Sequence, residues 1–135
     1  MKNKILALAA AALAVSGAAS VPAYAGQATA EKGEARLAKM IEGRTAGAPV
    51  TCVSALNSNR IEVIDETAIV YDAGKTVYVG RPSDPSVLDP NDILVTKRHG
   101  SQLCASDSMR MVDRDAGFMT GVVFLKNFVP YTKEG

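Results

Sequence analysis

Apolar and polar positions along the chain fall into three textures. The first is an unbroken apolar run of eleven residues, Ile5 to Val15, preceded by Lys2 and Lys4 and broken afterwards by Ser16, Gly17 and Pro22. A membrane-spanning helix needs about 20 apolar residues, so this run is too short to be one. With its positive start and the small-x-small ending Ala23-Tyr24-Ala25, it reads as a secretory signal peptide cleaved near Ala25.

The second texture has a helical period. Leu37, Met40 and Ile41 stand at i, i+3 and i+4 within residues 27–42, surrounded by Glu31, Lys32, Glu34, Arg36, Lys39 and Glu42. The spacing predicts one amphipathic helix, with Thr29 placed to cap its start and Gly43 to stop it. Its stripe is narrow, and Gly33 costs about 1 kcal/mol against alanine, so loose docking is expected of its first half. Gly43 to Pro49 is rich in Gly, Ala and Pro and reads as a linker.

From Val50 onward the chain breaks into short runs of β-branched and aromatic residues. Val50–Val53, Arg60–Ile64, Ala68–Tyr71, Thr76–Gly80, Ile93–Lys97, Gln102–Ala105, Met109–Val112 and Val122–Lys126 are the expected strands. Asp72-Ala73-Gly74-Lys75 carries a strong hairpin signal. Arg81–Asp92, rich in Pro and Asp, is expected as an irregular surface loop, and Asp113–Gly121 as another. Strands this short and closely spaced predict a mainly β fold: a small antiparallel sandwich or barrel-like sheet with one N-terminal helix. The domain plan is then a signal at 1–25, helix and linker at 26–48, and one β-rich domain at 49–135.

Charge and cysteine usage narrow the setting. Removing residues 1–25 from 135 leaves 110, with 13 basic against 14 acidic residues, a net charge of −1 with His99 neutral. That balance argues against nucleic acid as a partner, which calls for a basic excess, and offers no polybasic membrane anchor. Neither cysteine lies at the cleavage site, so no lipid anchor is expected. In an oxidising compartment Cys52 and Cys104 read as one disulfide. On the chain-entropy account, closing about 52 residues restricts the unfolded chain by roughly 4 kcal/mol. The spacing of Cys52, Cys104 and the single His99 makes a poor zinc site, and no cofactor is expected.

Candidate chemistry is sparse. Acidic and amide oxygens gather at Asp84, Asp89, Asn91 and Asp92, a calcium-preferring set whose spacing departs from the twelve-residue calcium loop and which an ordinary turn also needs. Lys97, Arg98 and His99, with Arg110 and Arg114, form a basic patch able to receive a carboxylate or phosphate if the strands pair. The same charges serve equally to keep an exposed edge solvated. Arg81 joins this set as a possible partner contact. Asp113-Arg114-Asp115 reads as a salt-bridged turn. His99, Asp107, Ser101 and Ser108 lie close in sequence, but no Gly-x-Ser-x-Gly elbow accompanies them.

Several segments carry a family likeness. Cys52-Val53-Ser54, Arg60-Ile61-Glu62-Val63-Ile64-Asp65, Thr67-Ala68-Ile69-Val70-Tyr71, Tyr78-Val79-Gly80-Arg81-Pro82, Asp92-Ile93-Leu94-Val95-Thr96, Gly100-Ser101-Gln102-Leu103-Cys104 and Phe128-Val129-Pro130-Tyr131 occur in that order. Over roughly Gly43 to Tyr131 the chain resembles a family of small exported Gram-negative bacterial proteins classed only as a domain of unknown function. The resemblance implies export, a single disulfide and a β fold. A further cysteine pair of distant relatives would fall near Pro85 and Val123, where this chain has none, so the long loop is expected to be less restrained. No activity and no functional residue comes with it.

The function expected is that of a non-enzymatic periplasmic or secreted module that binds an envelope partner. The alternatives are an inhibitor of an envelope hydrolase, with Arg81–Asp92 as its reactive loop, and a small hydrolase using His99.

Overall fold

The computed structural model describes residues 25–57 and 60–135. The expected signal segment therefore lies, apart from Ala25, outside the described residues. One helix, α1 (Ala25–Ile41), is followed by ten strands: β1 (Arg44–Ala46), β2 (Cys52–Ser54), β3 (Arg60–Ile64), β4 (Ala68–Asp72), β5 (Thr76–Pro82), β6 (Ile93–Lys97), β7 (Gln102–Cys104), β8 (Ser108–Val112), β9 (Met119–Val123) and β10 (Leu125–Lys133). Every pairing is antiparallel. The main sheet runs β1-β10-β5-β4-β3, a three-stranded sheet runs β6-β8-β9, and β2 pairs with β7 alone. The fold is mainly β and sandwich-like, and no barrel closes.

Layering follows from which side chains alternate to which face. Strand β4 is apolar at every position from Ala68 to Tyr71, and all four are buried, as expected of a strand covered on both sides. Ala68 and Val70 join Ile64, Val77 and Val79 beneath Leu37 of the helix. Ile69 and Tyr71 point the other way and join Phe128, Leu88, Val53, Leu103, Met109, Met111 and Val123. The second cluster draws on all three sheets, so β2-β7 and β6-β8-β9 pack on the face of the main sheet opposite α1.

The helix is held firmly. Leu37 is buried, and Met40 and Ile41 pack beside it. Arg36 pairs with Glu62 on β3, and Arg81 on β5 makes a two-pronged bond to Glu34, at 2.5 and 3.0 Å. The two ion pairs tie the helix to strands on either side of β4. The loose docking expected of the first half is corrected by Gly33, which is buried against the β3–β4 turn.

The hairpin at Asp72–Lys75 forms as expected. Gly74 takes a φ of +85°, and the Asp72 carboxylate accepts the Gly74 N–H at 2.8 Å. The expected linker differs: Arg44–Ala46 adds to the main sheet as β1, and the Arg44 guanidinium donates to the carbonyls of Gly74 and Lys75. The expected Asp113–Gly121 loop is shorter, because Met119–Gly121 pair with β8.

The longest strand, β10, departs furthest from the sequence reading. A register shift between Leu125 and Phe128 breaks its alternation, and Pro130 sits opposite Tyr78 in mid-sheet. Proline is tolerated there because of its orientation. Gly47 N–H donates to the Pro130 carbonyl at 2.7 Å, and a strand residue's N and C=O point to the same side. The missing N–H thus faces the short β1 side and leaves the ladder to β5 intact.

Cys52 and Cys104 are joined in a disulfide and stand opposite one another in the β2–β7 pair. Two three-residue strands would be marginal alone. The covalent bond and the burial of Val53 and Leu103 hold them to the core.

Candidate functional site

The three-stranded sheet has two unlike faces. Ladder register places Ile93 opposite Val112, Val95 opposite Arg110 and Lys97 opposite Ser108 on β6 and β8. On β9, Val122 stands opposite Arg110 and Met119 opposite Val112. Met109 and Met111 alternate inward and are buried, so all of these residues share the outward face.

That face is apolar where solvent should favour polar groups. Among the described residues seven large hydrophobic side chains are exposed: Ile93 (42%), Met119 (58%), Val122 (39%) and Phe124 (68%) are four of them at this face, and Phe118 (59%) stands beside Met119 at the end of the sheet. Phe118 and Phe124 stand immediately before and after β9. The chain has only three phenylalanines, and two are spent on this surface while Phe128 alone fills the core. Exposed apolar side chains gathered in this way mark an interaction surface.

Two cations lie on the same face. Arg110 is central, and Lys97 is its diagonal neighbour across β6 and β8. They line a depression of about 270 Å³ together with Val95, Thr96 and Ser108. Among the described residues neither cation has an ion-pair partner.

The other basic residues singled out in the sequence are dispersed. Arg81 faces the helix and is engaged by Glu34. Arg98 is exposed in the turn after β6. His99 Nδ1 lies 3.7 Å from the Asp107 carboxylate, whose other oxygen accepts the Cys104 N–H at 2.8 Å. The pair therefore braces the turn beside the disulfide, and among the described residues no serine hydroxyl bonds His99. Arg114 donates to the Asn91 carbonyl. Asp113 accepts the N–H groups of Asp115 and Ala116, so that turn is held by backbone bonds rather than by the expected Asp–Arg pairing.

The segment expected as an irregular surface loop, Arg81–Asp92, is irregular and mostly exposed from Ser83 onward, but it is tied down at several points. Its first two residues complete β5, and Pro85–Val87 form a 3-10 turn capped by Asp84, which accepts from Ser86. Asp89 accepts from Asn91 in the same way. Leu88 is buried in the core, its carbonyl accepts the Glu66 N–H, and Val87 packs against Gly121. One oxygen each of Asp84 and Asp89 thus serves a turn, and Asp92 accepts the Thr120 hydroxyl. Among the described residues no cluster of three or more His, Cys, Asp or Glu side chains could hold a metal ion.

A second concavity of about 510 Å³ lies between the edge strands β3 and β6, lined by Ile61, Val63, Ile93, Leu94, Asp92 and Arg114 among others. Its charged groups are engaged with one another or with backbone: Arg36 with Glu62, Arg114 with Asn91, and Asp92 with the Thr120 hydroxyl. It is less open to an incoming charged ligand than the outer face.

Sequence reading found Lys97 and Arg110 but not the apolar surface around them. Ile93, Val112 and Val122 read simply as strand residues, and Met119 fell in an expected loop. The available signal was the excess of apolar residues on both faces of β6 and β9. Comparison with protein-family models, curated proteins and solved structures finds no match.

Proposed function

We propose that the chain is an exported, disulfide-stapled, non-enzymatic module that acts by binding another protein through the outer face of the β6-β8-β9 sheet. The observation that carries this reading is the exposure of Ile93, Met119, Val122 and Phe124 at one sheet face, with exposed Phe118 beside its end. Leaving these side chains in water forgoes the stabilisation that burial would give, about 25 cal/mol per Å². The family it resembles assigns no activity, so the reading rests on this surface, with the signal-like N-terminus and the disulfide supporting an extracytoplasmic setting.

The inhibitor reading is less favoured, because the Arg81–Asp92 segment is anchored by buried Pro82 and Leu88 and folded into turns at Asp84 and Asp89 rather than presented as one extended loop. The hydrolase reading is less favoured because the His99 side chain is 78% exposed and, among the described residues, no serine hydroxyl bonds it.

Photo-crosslinking in a producing bacterium tests the proposal. A photoreactive residue replacing Val122 or Phe124 should trap one recurrent envelope protein, and the same residue replacing Lys39 on the helix should not. Equal recovery from all three positions, or none from the sheet face, overturns the reading.

A further inference from the structure

Resting on that reading, we propose that the outer face of the β6-β8-β9 sheet takes a short amphipathic polypeptide segment whose carboxylate is received by Arg110 and Lys97. The face carries Ile93, Val95, Val112, Met119 and Val122, and its two cations, Arg110 at the centre and Lys97 at one end, stand beside one depression. A surface that covers it must be apolar around a single anionic group, since an Arg110 buried against hydrocarbon without a partner would be strongly disfavoured. Guanidinium also favours carboxylate geometrically, through paired N–H donors.

The dimensions set the size of the occupant. Three strands about 4.8 Å apart and five residues long give a platform roughly 10 Å by 17 Å. That is the footprint of one helix of three turns, about 10 Å wide, or of one extended strand.

Two other occupants fit less well. A second copy docked through the same face about a two-fold axis would bring Arg110 close to its own counterpart, setting like charges together. An anionic membrane would need a dense basic surround, whereas the chain carries 15 basic and 14 acidic residues in all. Asp107 lines a separate hollow beside Val122 and Phe124, a further disadvantage for an anionic surface.

A random dodecapeptide display library, panned against the whole chain as purified from a secreting host, tests the inference. Enriched peptides should carry one Asp or Glu flanked by apolar residues. A synthetic peptide from that set should lose at least tenfold in affinity to Arg110→Gln. Its carboxylate-to-amide version should lose as much against the unmodified protein and lose nothing further against the variant. Arg110 is exposed, so the variant should unfold at the unmodified temperature, and panning with Arg110→Glu should enrich Lys or Arg instead.

Peptides that lose binding to Phe124→Ser but ignore Arg110→Gln would overturn the carboxylate assignment and leave the protein-binding reading standing. Failure to enrich any peptide sensitive to Phe124→Ser would overturn both. Self-association abolished by Val122→Lys, or co-sedimentation with phosphatidylglycerol vesicles abolished by Phe124→Ser, would overturn the assignment in favour of those occupants.

Discussion

Gly33 and Thr67 approach so closely that a Cβ on Gly33 would stand 1.9 Å from the Thr67 hydroxyl oxygen and 2.7 Å from the Asp65 carbonyl oxygen. Thr67 is itself buried and donates to that same carbonyl at 2.7 Å. The absence of a side chain at Gly33 is therefore what lets α1 lie low enough for Leu37 to reach the sheet.

Gly33→Ala should consequently destabilise, although alanine is the better helix former by about 1 kcal/mol. The expected loss is about 2 kcal/mol, in the range of overpacking substitutions, read as a lower midpoint in urea. Adding Thr67→Ser should recover little of it, because serine keeps the hydroxyl oxygen that the Cβ meets and the Asp65 carbonyl stays in place. Stabilisation by Gly33→Ala would show that the helix is free to ride higher.

Reduction of the Cys52–Cys104 disulfide should lower stability by up to about 4 kcal/mol. Chemical unfolding with and without a thiol reductant measures it. Amide exchange should quicken first at β2 and β7, whose pairing involves only three residues each.

Glu66 holds a φ of +45° in the β3–β4 turn, a conformation that costs a non-glycine residue roughly 1 kcal/mol. Glu66→Gly should recover part of that strain, about 0.5 kcal/mol after the added flexibility of the unfolded chain. A raised thermal midpoint is the expected readout.

Acid stability should depend on Glu34 in a definite direction. The hydrogen bond from Arg81 holds its carboxyl below the ordinary value of 4.5. Its contribution is present above that pH and is lost as the pH falls through the lowered folded value. Asp65 has the opposite sign: burial first, then the Asp89 charge, raises it above its ordinary 3.8. Its contribution is therefore present at low pH and lost as the pH rises through the raised value. Both Glu34 and Arg81 are half-exposed, so the Glu34 effect should stay below about 0.5 kcal/mol. Glu34→Gln should flatten the acid limb of the midpoint-versus-pH curve, and Asp65→Asn should not.

The strands that were legible in the sequence are those whose local chemistry agrees with their place in the fold. Asp72 and Gly74 specify their hairpin from within four residues, and Ala68–Tyr71 spell a doubly covered strand. Strand β1 was hidden because Arg44-Thr45-Ala46 has no apolar pattern and pairs on one side only. Strand β10 was hidden because its irregularity at Leu125–Phe128 and Pro130 erase the period of two, and only the position of β1 explains why the proline is harmless. The candidate surface was half visible. Charges such as Lys97 and Arg110 stand out in a sequence, but an apolar residue that stays in water looks the same as one that enters the core.

The place of β10 between β1 and β5 also sets an order in time. An interior strand of the main sheet is supplied by residues 125–133, synthesised after every other described strand. Strands β3, β4 and β5 can pair beforehand, but β1 has nothing to join, and the core lacks Phe128. A growing chain thus stays incompletely folded until its last strand emerges. Shortening it by ten residues from the far end should be more damaging than removing β1.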